Sequence, residues 1–194
     1  MNGEADRVPV LMLVHVHPDD ESSLTGRTIA RYSAAKTRPI LLACNDGGQG
    51  DDVADGRSTP DRHRVAQRRV RELRDAPRIL GVHELVELGY PDSGDGSRRS
   101  ASASLEVFGQ RPIDPLVQRL VDVIGMHQPD VIVTHPPNGL SGQPDNIRAH
   151  DIVAAAHTKI IASAQPGIHA DPSTLRTAGS NTVHNSIDDN GPAL

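Results

Sequence analysis

Tryptophan is absent from this chain, and aromatic residues make up 2% of it, as two Tyr and one Phe. That composition excludes nucleic-acid modules that stack bases on aromatic platforms, and it requires an aliphatic core. Positive charge is also scarce. There are 20 basic against 25 acidic residues, for a formal net charge of −5, so no broad surface for a phosphate backbone is expected and no nucleic-acid partner is assigned. Lysine occurs only as Lys36 and Lys159. Cysteine occurs only as Cys44, which excludes an internal disulfide. The opening apolar run, residues 8–14, is too short to span a bilayer and lacks both the basic start and the cleavage site of a secretion signal. The chain reads as a cytoplasmic domain of 194 residues with no membrane span.

What is present is an alternation of buried strands and amphipathic helices. Residues 8–16 (VPVLMLVHV) and 39–44 (PILLAC) are unbroken apolar runs, the mark of strands covered on both faces of a parallel sheet. Between them, residues 25–36 are predicted to form a helix with Ile29, Ala30 and Ala34 inward. A long helix follows, capped by Thr59, opened by Pro60 and complemented by Asp61, with Ala66, Val70, Leu73 and Leu80 as its apolar stripe. Pro77 lies on that stripe and predicts a kink or break, and Gly81 ends the helix. Residues 84–88 form a third strand and 93–111 a polar surface loop. Asp114 and Pro115 open the next helix, with Leu116, Leu120, Val123 and Ile124 inward. Residues 130–134 are a fourth strand, and 144–162 a helix with Ile147, Ala154 and Ile161 among its apolar positions. Residues 1–164 are assigned to one domain and 165–194 to a polar tail, with disorder expected over 180–194. The alternation predicts an α/β fold: a Rossmann-like, doubly wound, mostly parallel sheet with helices on both faces. Ligands in such sheets bind at the carboxyl ends of the strands.

The residues after the first strand are His15, Val16, His17, Pro18, Asp19, Asp20 and Glu21. Zinc takes imidazole nitrogen and carboxylate oxygen, and a catalytic site leaves it one open position. His17 and Asp20, three apart across a turn fixed by Pro18, can reach one ion. Asp19 then points elsewhere, placed to take a proton from a water whose pKa the ion lowers to about 7. The plainer reading is an acidic helix start. The loop Asp46-Gly47-Gly48-Gln49-Gly50-Asp51-Asp52 lacks the spacing of a dinucleotide loop and carries too many Asp to cradle phosphate. It is read as a flexible rim of a sugar pocket.

VHVHPDDE (residues 14–21) resembles the AHPDDE motif of the LmbE-like, or PIG-L, zinc de-N-acetylases. RRVRELRDAPRILGV, LVELGYPDSG and NGLSGQPDNIRAH resemble further family segments in the same order, so the likeness covers about residues 8–160. It implies an LmbE-like fold and a Zn2+-dependent hydrolase that removes an acetyl group, or a related amide, from a small N-acetylglucosamine-type conjugate. Carried over, His17 and Asp20 match zinc ligands and Asp19 the general base. Asp92 matches an acidic position beside the site, or is simply a turn residue. Arg69 and Glu72 match the helix motif, where Arg69 either meets substrate or is ion-paired.

The second motif departs from the family's GHPDH. Its final His, the third zinc ligand, is Asn146 here; its first His, which supports the oxyanion, is Gln143; Ser141 stands two before that. An amide oxygen is a poor zinc donor beside imidazole, and a neutral Gln can donate a hydrogen bond but not a proton. His135, at the end of the fourth strand, is the substitute ligand favoured by location, against a plain strand-end role. His150, about 5.4 Å further along the helix than Asn146, is less well placed, and His157 is read as packing. An inactive relative that binds a sugar or a partner is therefore the alternative function. Relatives continue into additional strands, so a partly open pocket is expected. A metallo-β-lactamase-like reading of HVHPDD is disfavoured, because the motif follows only one strand.

Overall fold

The computed structural model describes residues 7–50, 61–94 and 107–163, and the backbone of 175–177. Its elements are β1 (Val10–His15), α1 (Asp20–Ser23), α2 (Gly26–Ala34), β2 (Arg38–Asn45), α3 (Arg62–Leu80), β3 (Glu84–Tyr90), a 3-10 turn (Phe108–Gln110), α4 (Ile113–His127), β4 (Val131–Thr134), α5 (Gly139–Gly142), α6 (Pro144–Ser163) and β5 (Leu175–Thr177). The strands form one sheet in the order β3-β2-β1-β4-β5, and every pairing is parallel.

Every residue of β1 is buried, as its apolar run requires. Strand periodicity divides those residues between two cores. Val10, Met12 and Val14 join Leu116, Leu120 and Val123 of α4 and Ala149, Ile152 and Val153 of α6 on one face. Leu11 and Leu13 join Ile29 of α2 and Leu73 of α3 on the other. Helices thus cover both faces of the sheet, and the predicted fold class holds. The chain leaves β1 toward β2 and β3, then returns to the far side of β1 as β4. That reversal opens a crevice beyond the carboxyl ends of β1 and β4, where the His17 turn and His135 follow their strands.

Several local expectations are corrected. On α2 Ile29 is buried as predicted and Tyr32 packs against the same core, but Ala30 and Ala34 are exposed. Asp61, not Thr59, caps α3, its Oδ1 accepting from His63 N at 3.1 Å and Arg64 N at 3.3 Å. Thr59 and Pro60 lie outside the described residues. On α3 Leu73 and Pro77 are buried as predicted and Leu80 packs half-buried against the same core, but Val65 rather than Ala66 or Val70 completes the buried stripe. The helix runs through Pro77 without a break. With only one turn remaining, Pro77 forfeits a single bond to Leu73 O, its ring packs inward, and its carbonyl accepts the closing bonds from Gly81 N and Val82 N. On α6 the buried stripe is Ala149, Ile152, Val153 and Ala156; Ile147, Ala154 and Ile161 are only half-buried. β5 lies where the sequence carries no strand pattern, and backbone pairing to β4 alone defines it. The disorder expected over 180–194 lies outside the described residues.

The polar segment 93–111 is not wholly a surface loop. Phe108, the chain's single Phe, is fully buried and stacks on Tyr90 with ring centroids 5.9 Å apart. Truncating it leaves a cavity beside Leu116 and α6. Phe108→Ala is expected to lower unfolding free energy by about 3–5 kcal/mol, read by urea denaturation.

Candidate metal and catalytic site

The turn after β1 is built by its own acidic side chains. Asp20 Oδ2 accepts from Val16 N at 3.1 Å and His17 N at 2.9 Å, closing the chain over Pro18. Glu21, buried, accepts from Asp19 N at 3.0 Å and from Ser22 Oγ at 2.7 Å. Between these anchors Asp19 takes a left-handed backbone conformation with φ 112°, a region costly for a residue with a Cβ. The result splits the adjacent carboxylates: Asp20 is turned inward and Asp19 outward to the cleft.

Around Asp20 stand three imidazoles. His17 Nδ1 lies 3.6 Å and His135 Nε2 3.4 Å from Asp20 Oδ2. His15 bonds Thr25 Oγ1 through Nε2 at 2.8 Å. Donor atoms of His15, Asp20 and His135 all lie within 4.8 Å of one another, as do those of His17, Asp92 and Asp145. Burial alone would raise the Asp20 carboxyl, but His135 and His17 outweigh it and hold Asp20 well below the usual carboxylate range. Burial likewise opposes charge on His17, yet Asp20, Asp92 and Asp145 raise its pKa. His15 is dominated by burial, which pulls it down to about 4, so it is neutral at pH 7.

Asp19 is ion-paired with Arg69 of α3 at 2.6 Å; Arg69 also donates to Pro18 O at 2.8 Å and Gly47 O at 3.1 Å. The ion-paired reading of Arg69 holds, though it faces the cleft rather than a solvated helix side. Burial pushes the Asp19 carboxyl above its ordinary value, against the pull of Arg69. Glu72 is exposed and pairs with Arg68. Asp92 satisfies both of its readings. Buried, it accepts from Gly94 N at 2.8 Å as a turn residue and from Gln49 N at 3.0 Å, while its Oδ1 lies 3.8 Å from His17 Nε2. The Gly-rich loop forms the rim as expected, but its described part is tied down: Asp46 Oδ1 accepts from Gly48 N and Asp92 N, and Arg62 donates to Gln49 O at 2.9 Å. Asp51 and Asp52 lie outside the described residues.

Gln143 caps α6: its Oε1 accepts from Asn146 N at 2.7 Å, and Pro144 follows at the first helical position. Its Nε2 then faces His17 Nε2 at 3.2 Å. Asn146 donates through Nδ2 to Gly139 O at 3.3 Å, and its buried Oδ1 has no partner among the described residues. His150 bonds the His135 carbonyl through Nδ1 at 3.0 Å, behind the cluster rather than in it. Ser141 is exposed and outside the cleft lining. Sequence reasoning missed Asp145, which is fully buried, accepts from Asn45 Nδ2 at 3.0 Å and Ser93 N at 3.1 Å, and has its carboxyl pushed up by burial. His17, Asp19, Arg69, Asp92, Gln143 and the loop at Gln49 line a cleft of about 220 Å³.

The cluster fits a zinc-type cation. Its donors are imidazole and carboxylate, Asp20 Oδ2 lies 3.4–3.6 Å from two ring nitrogens, and tetrahedral zinc spaces its donors about 3.3 Å apart. His135 is fully buried with neither ring nitrogen hydrogen-bonded among the described residues, a cost that a bound cation removes.

A doubly wound parallel sheet with a histidine–aspartate cluster at its switch point defines an α/β protein that works at its carboxyl edge. Within that class the chain belongs to the PIG-L family, described as GlcNAc-PI de-N-acetylase, whose pattern it matches over residues 12–157. It is 34% identical over 165 residues to a 1D-myo-inositol 2-acetamido-2-deoxy-alpha-D-glucopyranoside deacetylase of Saccharopolyspora erythraea, an alignment covering 78% of this chain and 54% of the relative. The chain thus spans about half that relative's length. Its fold is similar to N,N'-diacetylchitobiose deacetylase from Pyrococcus horikoshii (TM-score 0.61, 21% identity, 77% of this chain and 49% of that one). It is similar also to 4-carboxy-2-hydroxymuconate hydratase from Pseudomonas putida (TM-score 0.62, 19% identity, 82% and 59%). Two different reactions on one scaffold mean that the fold alone does not choose between them. No helix among the described residues is long and apolar enough to cross a membrane.

Proposed function

We propose that this chain carries the site of a zinc-dependent hydrolase that removes acetyl from an N-acetylglucosamine-type conjugate, with an N-acetylglucosaminyl-inositol as the first candidate. The observation that carries the reading is the split carboxylate pair: Asp20 turned inward between His17 and His135, Asp19 exposed at the cleft and held by Arg69. The similarity to an acetamido-sugar deacetylase supports it. On the family likeness, His17 and Asp20 would hold the ion, with Asn146 at the position of the third ligand, and the ion would supply Lewis acidity toward the acyl oxygen and the attacking water.

The remaining steps belong to this chain's own side chains. Asp19 receives the water's proton on a carboxylate oxygen and returns it to the departing amine nitrogen. Arg69 fixes the Asp19 rotamer and limits how far burial raises its pKa. Gln143 Nε2 is placed to donate a hydrogen bond to the developing oxyanion. The acetamido sugar is placed in the cleft of about 220 Å³ lined by His17, Asp19, Arg69, Asp92 and Gln143. We assign the reaction to the cytoplasm, where the buried free thiol of Cys44 meets no oxidising machinery.

Acetate release from N-acetylglucosaminyl-inositol and other N-acetylated sugars tests the reading; release above buffer, sensitive to chelation, is the expected result. Removing Arg69 takes away the cation that lowers the Asp19 pKa. Arg69→Ala is therefore expected to move the acidic limb of the kcat/KM profile to higher pH, read from initial rates across pH 4–8. A second reading, a sugar- or partner-binding relative without turnover, draws on the replacement of both second-motif histidines by Gln143 and Asn146. Binding of the N-acetyl sugar without acetate release identifies it.

A further inference from the structure

We infer that His135 supplies the donor that residue 146 cannot, so that the cation gripped by His17 and Asp20 is completed by His135 at the end of β4, with His15 packed beside it. The inference rests on the metal-dependent reading above and names the ligands of that same site. Asn146 offers a neutral amide, a weak zinc donor, and that amide is engaged with Gly139 O through Nδ2 at 3.3 Å. Asn146 Oδ1 and both ring nitrogens of His135 are bare among the described residues, and between an amide oxygen and an imidazole nitrogen zinc takes the imidazole.

His15 is held by Thr25, with Nε2 2.8 Å from Oγ1, and its buried Nδ1 has no partner among the described residues. A donor atom of His15 lies within 4.8 Å of donor atoms of both Asp20 and His135. Both nitrogens of His135 are likewise unpartnered, and His135 Nε2 lies 3.4 Å from Asp20 Oδ2. The two rings meet edge to face with centroids 5.5 Å apart. A cation bound to one nitrogen of His135 gives that buried group the partner it lacks among the described residues. His17 remains on the cleft side of Asp20, 3.6 Å from its Oδ2.

The test titrates Zn2+ and Co2+ into the full chain and its variants. His135→Ala is expected to weaken binding on the order of 100-fold or more, and His15→Ala, which removes the ring packed against His135, by about 10-fold, whereas Asn146→Ala binds as the parent does. X-ray absorption of the parent loaded with zinc is expected to count at least two imidazoles, a readout independent of whether any variant folds. A parent site with one imidazole, or binding lost in Asn146→Ala but kept in His135→Ala, overturns the inference and leaves the metal-dependent reading standing. A parent that binds neither cation overturns both.

Discussion

Asn in place of Asp19 is expected to lower acetate release by about 10²–10⁴-fold while the chain keeps its cation. The substitution removes the proton acceptor and little else. Asn tolerates positive φ better than most residues, so the backbone at φ 112° that turns position 19 outward is retained. Asp20 keeps its bonds from Val16 N and His17 N, and Glu21 still accepts from the position 19 amide. Arg69 keeps Pro18 O and Gly47 O. Rate and metal content are thus expected to separate, and measuring both on one preparation checks it. Turnover at the parent's level in metal-loaded Asp19→Asn removes Asp19 from the mechanism.

Asp20→Ala is expected to fail differently. Asp20 Oδ2 accepts two backbone amides and faces both His17 and His135. Its loss leaves Val16 N and His17 N without their acceptor, at about 1–3 kcal/mol for each group that stays buried, and deprives the cluster of its carboxylate. Cation binding is expected to disappear, and with it turnover. Urea unfolding should show lower stability even in metal-free protein, and that stability loss separates Asp20 from Asp19. The low pKa of Asp20 gives a second sign. Its folded-state pKa lies below the unfolded value, so its stabilisation is present above the ordinary carboxylate range and fades as pH falls below it.

The legibility of these features in the sequence follows from how each is held. β1 and β2 were readable because strands covered on both faces need apolar residues throughout, and VLMLVH and RPILLACN supply them. The inward positions of α4 were readable because its stripe is aliphatic and unbroken. Phe108 was hidden because the segment around it is polar, and only tertiary contact with Tyr90 and α6 buries it. β5 carries no pattern of its own. The α6 stripe was misplaced because alanines and isoleucines occur all round that helix, so its apolar face is poorly defined.

Within the site, the turn of His17, Asp19 and Asp20 was visible because proline, adjacent acids and imidazoles are compressed into a few residues. Asp145 was not: it reads as an ordinary first-turn acid, and its burial depends on Asn45, 100 positions away. A signal for it exists in hindsight, an acid directly after the proline that opens α6. His15 was in view from the start but had no assigned task. Its significance depends on His135 arriving beside it through the parallel pairing of β1 with β4. Non-local pairing of that kind leaves no local periodicity to read.

The most direct test of the central claim is metal analysis of the full chain, purified without chelator, with acetate release from N-acetylglucosaminyl-inositol measured on the same sample. The account predicts one zinc per chain, and release that chelation stops and added zinc restores. Release that continues after complete metal removal, or a purified chain that neither contains nor takes up zinc, would contradict it.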